Sequence, residues 1–325
     1  MASATSIEIL DLRHFPAPRL RSVLEKESDL WGQRLHWDYR YSSRLLMQYL
    51  DNRMLPGYAA LESDRVVGFA FCVYEETKAV IGDVFALPGP VPGSDLEVEA
   101  TLLNHLLETL LNSPHLDRIE TQLLLHPTGR HGTLFRKAGF TIFKRLFMVQ
   151  SQLALAGAPA GSLPAELELR PWRDEDMGAA ARLIAEAYTG HPDSLINDQY
   201  RSPHGSMRFL NNIVRYAGCG VFCPPVSCVL VDRQSRELVA MVLGSRVSAE
   251  SGHITQLCVH PSHRRRGLAR RLLSIAAREF ARQGVQEISL TVTQANTDAV
   301  LLYLDEGYIV THSFDAAVWL RPARA

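Results

Sequence analysis

The chain has 325 residues, which is long for one domain and natural for two domains that each bury a core. Its 34 Lys and Arg residues balance 35 Asp and Glu residues, so the net charge argues against wholesale nucleic-acid binding and leaves only local basic patches. No apolar run reaches the roughly 18 residues that span a bilayer, and the N terminus lacks a basic-then-apolar signal sequence. Five cysteines form an odd, sparse set typical of reduced thiols. Together with the balanced charge and the lack of a membrane span or signal sequence, they lead us to expect a cytoplasmic protein with no membrane or nucleic-acid partner.

The first half of the sequence contains a three-strand meander followed by a helix. β-Branched and aromatic residues predict three strands, at 58–61, 66–74 and 79–87. A Leu-Pro-Gly-Pro-Val-Pro-Gly segment follows, and then a leucine-rich helix that opens with a capping box from Ser94 to Glu97. The three prolines remove three backbone donors, and the segment has no arginine, so it is poorly suited to hold a phosphate group.

The second half repeats this order after a linker. Residues 154–165 are rich in Ala, Pro and Gly, which predicts a linker between a domain at 1–153 and a domain at 166–325. The pattern beyond the linker predicts a strand at 167–170, a helix at 177–188 and a second meander at 228–231, 238–246 and 253–259. In addition, the segment LFRKAGFTI at 134–142 echoes LYLDEGYIV at 302–310, which indicates an internal repeat at the scale of a domain.

The turn that leads from Leu257 to Ala269 carries the strongest functional signal. Its residues Arg264-Arg265-Arg266-Gly267-Leu268-Ala269 fit the pattern R-x-x-G-x-A. Gly267 and Ala269 lack bulk, so the N–H groups at the start of the following helix can approach a pyrophosphate, and the helix dipole adds partial positive charge there. Apolar residues at 268, 272, 275, 276 and 280 predict an amphipathic helix directly after the turn.

The pattern needs this structural context, because residues 65–70 and 215–220 fit it too. The first of these segments lies inside a predicted strand and the second runs into a Cys-Pro-Pro sequence, so neither opens a helix. Three consecutive arginines also suit a solvated face or a nucleic-acid patch, but the strand, glycine and helix around them favour a phosphate site. A zinc cluster of Cys219, Cys223 and Cys228 would lack a fourth ligand at zinc spacing, so we predict buried thiols and no metal.

Two motifs in the second half carry a family resemblance. They are Val259-x-Pro261-x-x-Arg264-Arg265-Arg266-Gly267-Leu268-Ala269 and Asn296-x-x-Ala299-x-x-Leu302-Tyr303-x-x-x-Gly307-Tyr308. Together they resemble the acetyl-CoA-binding core of the GNAT superfamily of N-acetyltransferases, and the likeness covers roughly residues 166–322. The resemblance implies an α/β fold of two tandem domains, each a mixed, mostly antiparallel sheet flanked by helices. This layout is similar to that of mycothiol synthase relatives.

The resemblance also implies roles for individual residues. The residues Arg264, Arg265, Arg266, Gly267, Leu268 and Ala269 would wrap the pyrophosphate of coenzyme A. The backbone of Val259, on the same strand as Leu257, would bind the pantetheine arm or the thioester, and Asn296 and Tyr303 would flank the sulfur. The first half has Phe135 where the tyrosine belongs, so we predict a GNAT-like domain that has lost coenzyme binding.

The predicted reaction is direct attack of a primary amine on acetyl-CoA in a ternary complex. A backbone N–H near Val259, freed by a bulge, would polarise the carbonyl, and Tyr303 would donate a hydrogen bond to the leaving thiolate. Cys258 would point away from Val259, so a covalent intermediate is not required. His253 is the predicted general base because its imidazole has a suitable pKa, with Glu250, Asp198 or a water molecule as alternatives.

The acceptor is left open by the sequence. The unusually long insert at 190–227 has polar and aromatic residues suited to line a cleft, namely Tyr200, Arg201, His204, Arg208, Asn211, Asn212 and Tyr216. The same residues suit an ordinary surface helix. A small amine, a peptide N terminus and a lysine side chain all remain possible acceptors, and the alternative function is a module that senses acyl-CoA without turnover.

Overall fold

The computed structural model describes residues 7–151, 163–216 and 219–322. The strands are β1 (Ile7–Asp11), β2 (Gly57–Glu62), β3 (Arg65–Glu75), β4 (Lys78–Ala86), β5 (Arg118–Gln122), β6 (Thr141–Ser151), β7 (Leu167–Pro171), β8 (Val221–Phe222), β9 (Cys228–Asp232), β10 (Leu238–Arg246), β11 (Ser251–Val259), β12 (Glu287–Thr293) and β13 (Ile309–Leu320). The α-helices are α1 (Arg21–Leu35), α2 (Arg40–Asp51), α3 (Ser94–Leu111), α4 (Gly132–Lys137), α5 (Met177–Ala187), α6 (Asp193–Ile196), α7 (Pro203–Arg215), α8 (Leu268–Arg282) and α9 (Thr297–Asp305). The predicted α/β fold class is confirmed.

The chain divides into two compact units. Unit 1 contains residues 1–144 and 313–325, and unit 2 contains residues 145–312. Most of the predicted linker at 154–165 lies outside the described residues, which resume at 163. The predicted domains are each continuous in sequence. The compact units are not, because most of β6 belongs to unit 2 and most of β13 belongs to unit 1.

Taken by itself, each unit contains a mixed arrangement of strands. In unit 1 the strands run in the order β1-β2-β3-β4-β5-β13, and in unit 2 they run β6-β12-β11-β10-β9-β7, with β8 paired to β10. The β4–β5 and β11–β12 pairs are parallel, and the other described pairs within these sheets are antiparallel. The sheet of unit 1 therefore ends on a strand from the second half of the sequence. The sheet of unit 2 ends on a strand from the first half.

Helices cover both faces of the unit 2 sheet. The predicted apolar face of α8 is buried, with Leu268, Leu272, Ala276 and Phe280 in one core and Ile275 packed partly buried against it. A second core holds α5 and α7 together with Cys258 of β11. Leu257 and Val259 pack on the α8 side instead. Side chains along β11 thus alternate between the two faces, as they do in any strand.

The parallel pair in each unit stops partway along its strands. In unit 2, β11 and β12 pair over residues 251–254 and 287–290, and Thr255 is the bulged residue that follows on β11. In unit 1, β4 and β5 pair over residues 78–81 and 118–121, and Gly82 is the bulged residue. Beyond these points, backbone groups at the facing edges are not used by the neighbouring strand. Bulges of this kind re-aim the strand and mark sites where pairing ends.

Candidate active site

A cavity of about 570 Å³ lies in unit 2, where β11 and β12 stop pairing. Residues 254–259 of β11 and 290–292 of β12 line its sides. The turn before α8 and residues of α9 line it as well. The predicted site residues that line it are Leu257, Val259, Arg264, Arg265, Gly267, Leu268, Ala269, Asn296 and Tyr303. Arg266 and His253 are not among the lining residues.

The turn before α8 leaves the helix start open. Arg265 and Gly267 adopt left-handed backbone conformations, with φ of 62° and 73°, and α8 begins at Leu268 without a side-chain cap. A Cβ atom on Gly267 would meet no atom within 4 Å, so the glycine serves the backbone conformation and leaves the space above it clear. The first N–H groups of an uncapped helix lack internal acceptors and attract anions. The geometry thus suits a phosphate group at this end of the cavity.

The first of the three arginines braces the site. Arg264 donates from Nη2 to the Ala187 carbonyl at 2.6 Å, and its Nε lies 3.4 Å from the Val259 carbonyl. These bonds connect the end of β11 to the end of α5. The guanidinium is therefore held by backbone oxygens while it lines the cavity.

The other two arginines point in different directions. The side chain of Arg265 is 85% exposed and faces the cavity, with Nη1 3.7 Å from Asp298. Arg266 makes a hydrogen-bonded ion pair with Glu166 and lies outside the cavity lining. Of the three consecutive arginines, Arg265 is the one that lines the cavity with an exposed side chain, and its long, exposed ion pair with Asp298 can give way to a phosphate.

Asn296 and Tyr303 line the cavity from the start and the middle of α9. Asn296 caps α9, since its side chain accepts a hydrogen bond from the Ala299 N–H, and its Nδ2 lies 3.1 Å from His191 Nε2. Tyr303 is only 9% exposed, and among the described residues its hydroxyl makes no hydrogen bond. Burial raises the pKa of Tyr303, and the neighbouring Asp193 raises it further. The phenol is thus neutral and available as a donor.

His253 lies in the interior of unit 2, away from the cavity lining. Its Nδ1 lies 2.9 Å from the Ser289 hydroxyl, and its ring stacks on Phe147 with a centroid distance of 6.3 Å. Burial, with Arg145 nearby, lowers the pKa of His253 to about 3. Such a ring stays neutral near pH 7 and is a weak base. The alternative bases, Glu250 and Asp198, are not lining residues either.

The structure adds cavity residues that the sequence analysis missed. Asp193 is a buried carboxylate that accepts a hydrogen bond from the Thr293 hydroxyl. Arg145 comes from β6 and donates from Nη2 to the Thr291 hydroxyl at 3.2 Å. Neither residue belongs to a motif. Asp193 lies near the start of the insert at 190–227, which was predicted to line a cleft, so its position could have suggested a role. No feature of the sequence around Arg145 suggests one.

Aromatic residues form the wall beside Asp193. Tyr188 and Tyr200 line the cavity with ring centroids 4.4 Å apart, and Gln256 Nε2 donates to the Tyr188 hydroxyl at 3.2 Å. Burial raises the pKa of both tyrosines. Among the insert residues proposed from the sequence, Tyr200 lines the cavity, whereas Arg201, His204, Arg208, Asn211, Asn212 and Tyr216 do not.

Cys258 also lies beside the cavity, but its environment does not suit a nucleophile. Its side chain packs into the core formed with α5 and α7. Burial raises the pKa of this thiol to about 12, so almost none of it is the reactive thiolate near pH 7.

Comparison with known proteins identifies the class. The acetyltransferase (GNAT) family model matches residues 194–308. Among solved structures, the chain is similar to a GCN5-related N-acetyltransferase from Sphaerobacter thermophilus, with 17% identity, a TM-score of 0.64, and coverage of 98% of this chain and 97% of that one. It is also similar to a tandem GNAT protein from the clavulanic acid biosynthesis pathway, with 14% identity, a TM-score of 0.60, and coverage of 98% and 100%. No curated protein sequence matches the chain.

Residues 194–308 in the second half of the chain therefore match the GNAT family, and over almost its whole length the chain has the fold of a tandem GNAT protein. This family and fold are those of acyltransferase enzymes, as the sequence predicted. None of the described helices combines the length and the hydropathy that a membrane span requires.

Proposed function

We propose that the protein is an acetyl-CoA-dependent N-acetyltransferase and that its chemistry takes place in unit 2. The observation that carries this proposal is one cavity lined both by the open start of α8 and by Tyr303. Such a cavity joins a site for a diphosphate to a site for a reacting thioester. The five cysteines of the chain are free thiols, which supports a reducing, cytoplasmic setting.

The coenzyme would lie along the unpaired edge of β11. Its diphosphate would accept hydrogen bonds from the N–H groups at the start of α8, with Arg265 adding positive charge. The pantetheine arm carries amide groups, which can pair with the backbone that β12 leaves free between Thr255 and Val259. This placement would lead the thioester to Asn296 and Tyr303.

Acyl transfer would then be direct. The amine nitrogen forms a bond to the thioester carbon, the carbon–sulfur bond breaks, and the thiolate accepts a hydrogen bond from Tyr303. A phenol has an ordinary pKa of about 10 against about 8.5 for a thiol, so full proton transfer would cost about 2 kcal/mol even before burial raises the pKa of Tyr303. We therefore assign Tyr303 as a hydrogen-bond donor to the developing charge.

Asp193 is better placed than His253 to handle the amine. It is a buried carboxylate in the cavity wall, so it would attract an ammonium group and receive a proton from it, directly or through water. His253 was the predicted base, but its ring is turned into the core beside Ser289. The acceptor class that fits this wall is a primary amine, carried by a small molecule or a peptide.

Unit 1 would support the fold without binding coenzyme. Its loop before α3 carries three prolines, and Phe135 lacks the hydroxyl of Tyr303. The Val84 carbonyl, beyond the last β4–β5 pair, already accepts a hydrogen bond from His126 Nε2 at 2.7 Å. Part of the edge that a coenzyme would use is thus satisfied by the protein itself.

Two measurements test the proposal together. Isothermal titration should show one acetyl-CoA site per chain, and a panel of primary amines should release free coenzyme A thiol at a measurable rate. Two equivalent sites would contradict the account of unit 1. Tight binding with no thiol release across the panel would support a sensing module and contradict the assignment as an enzyme.

A further inference from the structure

A second cluster of chemically active side chains lies in unit 1, outside the proposed active site. It consists of Glu99 on α3, with His126 and His131 from the segment between β5 and α4. One nitrogen or oxygen atom from each of the three residues can be chosen so that all three atoms lie within 4.8 Å of one another, and all three residues are buried. We call these residues the Glu99 cluster.

Two members of the Glu99 cluster, Glu99 and His131, face each other at short distance. His131 Nε2 lies 3.2 Å from Glu99 Oε2, and the two side chains are only 4% and 2% exposed. The distance would allow a hydrogen bond, but the buried Nε2 has no partner at full hydrogen-bond geometry. Buried polar atoms are normally paired, so this one requires an explanation. Two ligands at about 2.0–2.1 Å from a tetrahedral ion lie about 3.3 Å apart, which is close to this spacing.

Neighbouring groups hydrogen-bond to His126 and Glu99 and thereby fix the orientation of these two side chains. His126 donates from Nε2 to the Val84 carbonyl at 2.7 Å, which leaves the lone pair of the neutral ring on Nδ1. Arg130 donates from Nε to Glu99 Oε2 at 2.7 Å. Ligating histidines and carboxylates usually have such partners, which set the tautomer and the orientation of the ligand.

The charge balance around the cluster favours a cation. Glu27 and Asp83 are buried beside it and hydrogen-bond to each other, and Asp83 Oδ1 lies 4.0 Å from His126 Nε2. The hydrogen bond between Glu27 and Asp83 requires one proton on the pair, so the pair and Glu99 together carry at most two negative charges near the guanidinium of Arg130, which also pairs with Asp95. Buried charges need partners, and a divalent cation would supply the missing positive charge.

We propose that Glu99, His126 and His131 bind a divalent transition-metal ion, with zinc as the ion that best fits two imidazoles and one carboxylate. The ion would hold α3 against the segment that leads into α4, where unit 1 has no coenzyme to do so. The sequence showed no sign of this site, because only the cysteines have a spacing that suggests a metal and the three ligands have no recognisable spacing along the chain.

Zinc itself is the probe for the test, with full-length protein freed of any affinity tag. The protein is dialysed against a chelator, and zinc is then returned while binding is followed by titration calorimetry and stability by thermal unfolding. We expect one zinc per chain and a higher midpoint of unfolding on zinc addition. Cobalt in place of zinc should give the visible absorption of a site with nitrogen and oxygen ligands.

Variants locate the site. His131→Ala and Glu99→Gln should each weaken zinc binding at least about 100-fold, whereas the matched control His105→Gln, an exposed histidine on α3, should leave it unchanged. If His131→Ala fails to fold, zinc binding by Glu99→Gln and the cobalt spectrum of the wild type still show whether the Glu99 cluster binds the metal. The proposal is overturned if the folded wild type takes up no zinc. It is also overturned if zinc binding survives both cluster substitutions and is lost in His263→Ala, because the half-buried His260 and His263 also lie close together.

Discussion

The two units share a local structure, a helix end followed by a glycine and a strand, but place different side chains in it. In unit 1 the Phe135 and Phe140 rings lie 5.2 Å apart at 59°, and in unit 2 the Tyr303 and Tyr308 rings lie 5.8 Å apart, also at 59°. The backbone bond between the pair is 3.0 Å long in unit 1 and 2.9 Å in unit 2. Gly139 and Gly307 both have φ of 84°. The internal repeat predicted from the sequence is thus visible in the geometry.

The difference lies where each parallel strand pair ends. In unit 2 the edge of β11 faces a cavity, and in unit 1 the edge of β4 meets His126, beside the Glu99 cluster. Backbone groups must find partners wherever they are buried. We propose that unit 2 leaves that requirement to a ligand, whereas His126 meets part of it in unit 1. A shared fold therefore does not imply a shared site.

The largest effect is expected from a matched pair of glycine substitutions. Gly267 and Gly93 precede α8 and α3 with left-handed φ of 73° and 86°, and a Cβ on either would meet no atom within 4 Å. The backbone strain of Gly267→Glu and Gly93→Glu is thus similar. We expect Gly267→Glu to weaken acetyl-CoA binding at least about 1000-fold, or about 4 kcal/mol, by placing negative charge over the helix start. Calorimetry that shows equal losses in the two variants would end the distinction between the units.

Tyr303→Phe gives unit 2 the residue type that unit 1 has at Phe135. We expect turnover to fall roughly 100- to 1000-fold, because the hydrogen bond to the leaving thiolate is lost, with little change in coenzyme affinity. Tyr308→Phe, which removes a neighbouring buried hydroxyl outside the cavity lining, serves as the control and should keep its rate. Thiol-release kinetics measure both, and an unchanged rate in Tyr303→Phe would remove this residue from the mechanism.

Asp193→Asn tests whether Asp193 accepts the proton of the amine in the unit 2 cavity. The amide can still accept from Thr293 but cannot take a proton, so kcat/KM for an amine should fall about 100-fold. Asp198→Asn changes an acid of the same insert that does not line the cavity, and its kcat/KM should match the wild type. Equal values for the two variants would argue against Asp193 as the proton acceptor.

His253 predicts a pH dependence of stability. The folded pKa of about 3 lies below the ordinary value of 6.5, so between these values the unfolded chain binds more protons and stability decreases as the pH falls. From pH 7 to pH 5 this residue should remove about 2 kcal/mol from the free energy of unfolding. Denaturant titrations of His253→Gln should show a correspondingly weaker pH dependence, whereas His105→Gln should behave as the wild type. An identical slope in His253→Gln would contradict the lowered pKa.

The smallest expected effect separates neighbouring arginines. Arg265→Gln should weaken acetyl-CoA binding about tenfold through loss of one phosphate contact. Arg266→Gln should change binding less than about twofold, because its partner is Glu166, outside the cavity. Titration at two salt concentrations would show this contrast, and a larger loss in Arg266→Gln would reverse the assignment of the two side chains.

Much of this fold was readable from local patterns. The strand predicted at 238–246 has the observed bounds of β10, and the helix predicted at 177–188 differs from α5 by one residue. These segments succeed because alternation and helical periodicity report which face of an element is buried. The capping box expected at Ser94 is absent, since Gly93 takes the cap position and the Ser94 hydroxyl finds no partner.

The site was readable only where it depends on the local chain. The glycine before α8 and the cap of α9 are set by neighbours in sequence, so Gly267 and Asn296 lie where the motifs placed them. His253 was predicted to face the acceptor, but the side of the sheet that its ring occupies depends on Phe147 and Ser289 from other strands. Strand alternation alone cannot reveal which face will carry a cavity.

By itself, the sequence determined the elements, the repeat and the conformation of the turn before α8, because these depend on backbone sterics and on side-chain periodicity over a few residues. Only the tertiary structure decided which strands complete each sheet, and thereby brought Arg145 to the cavity. It also decided that three successive arginines take three directions and that Glu99, His126 and His131 converge. These outcomes depend on contacts between residues far apart in the chain, which no local pattern encodes.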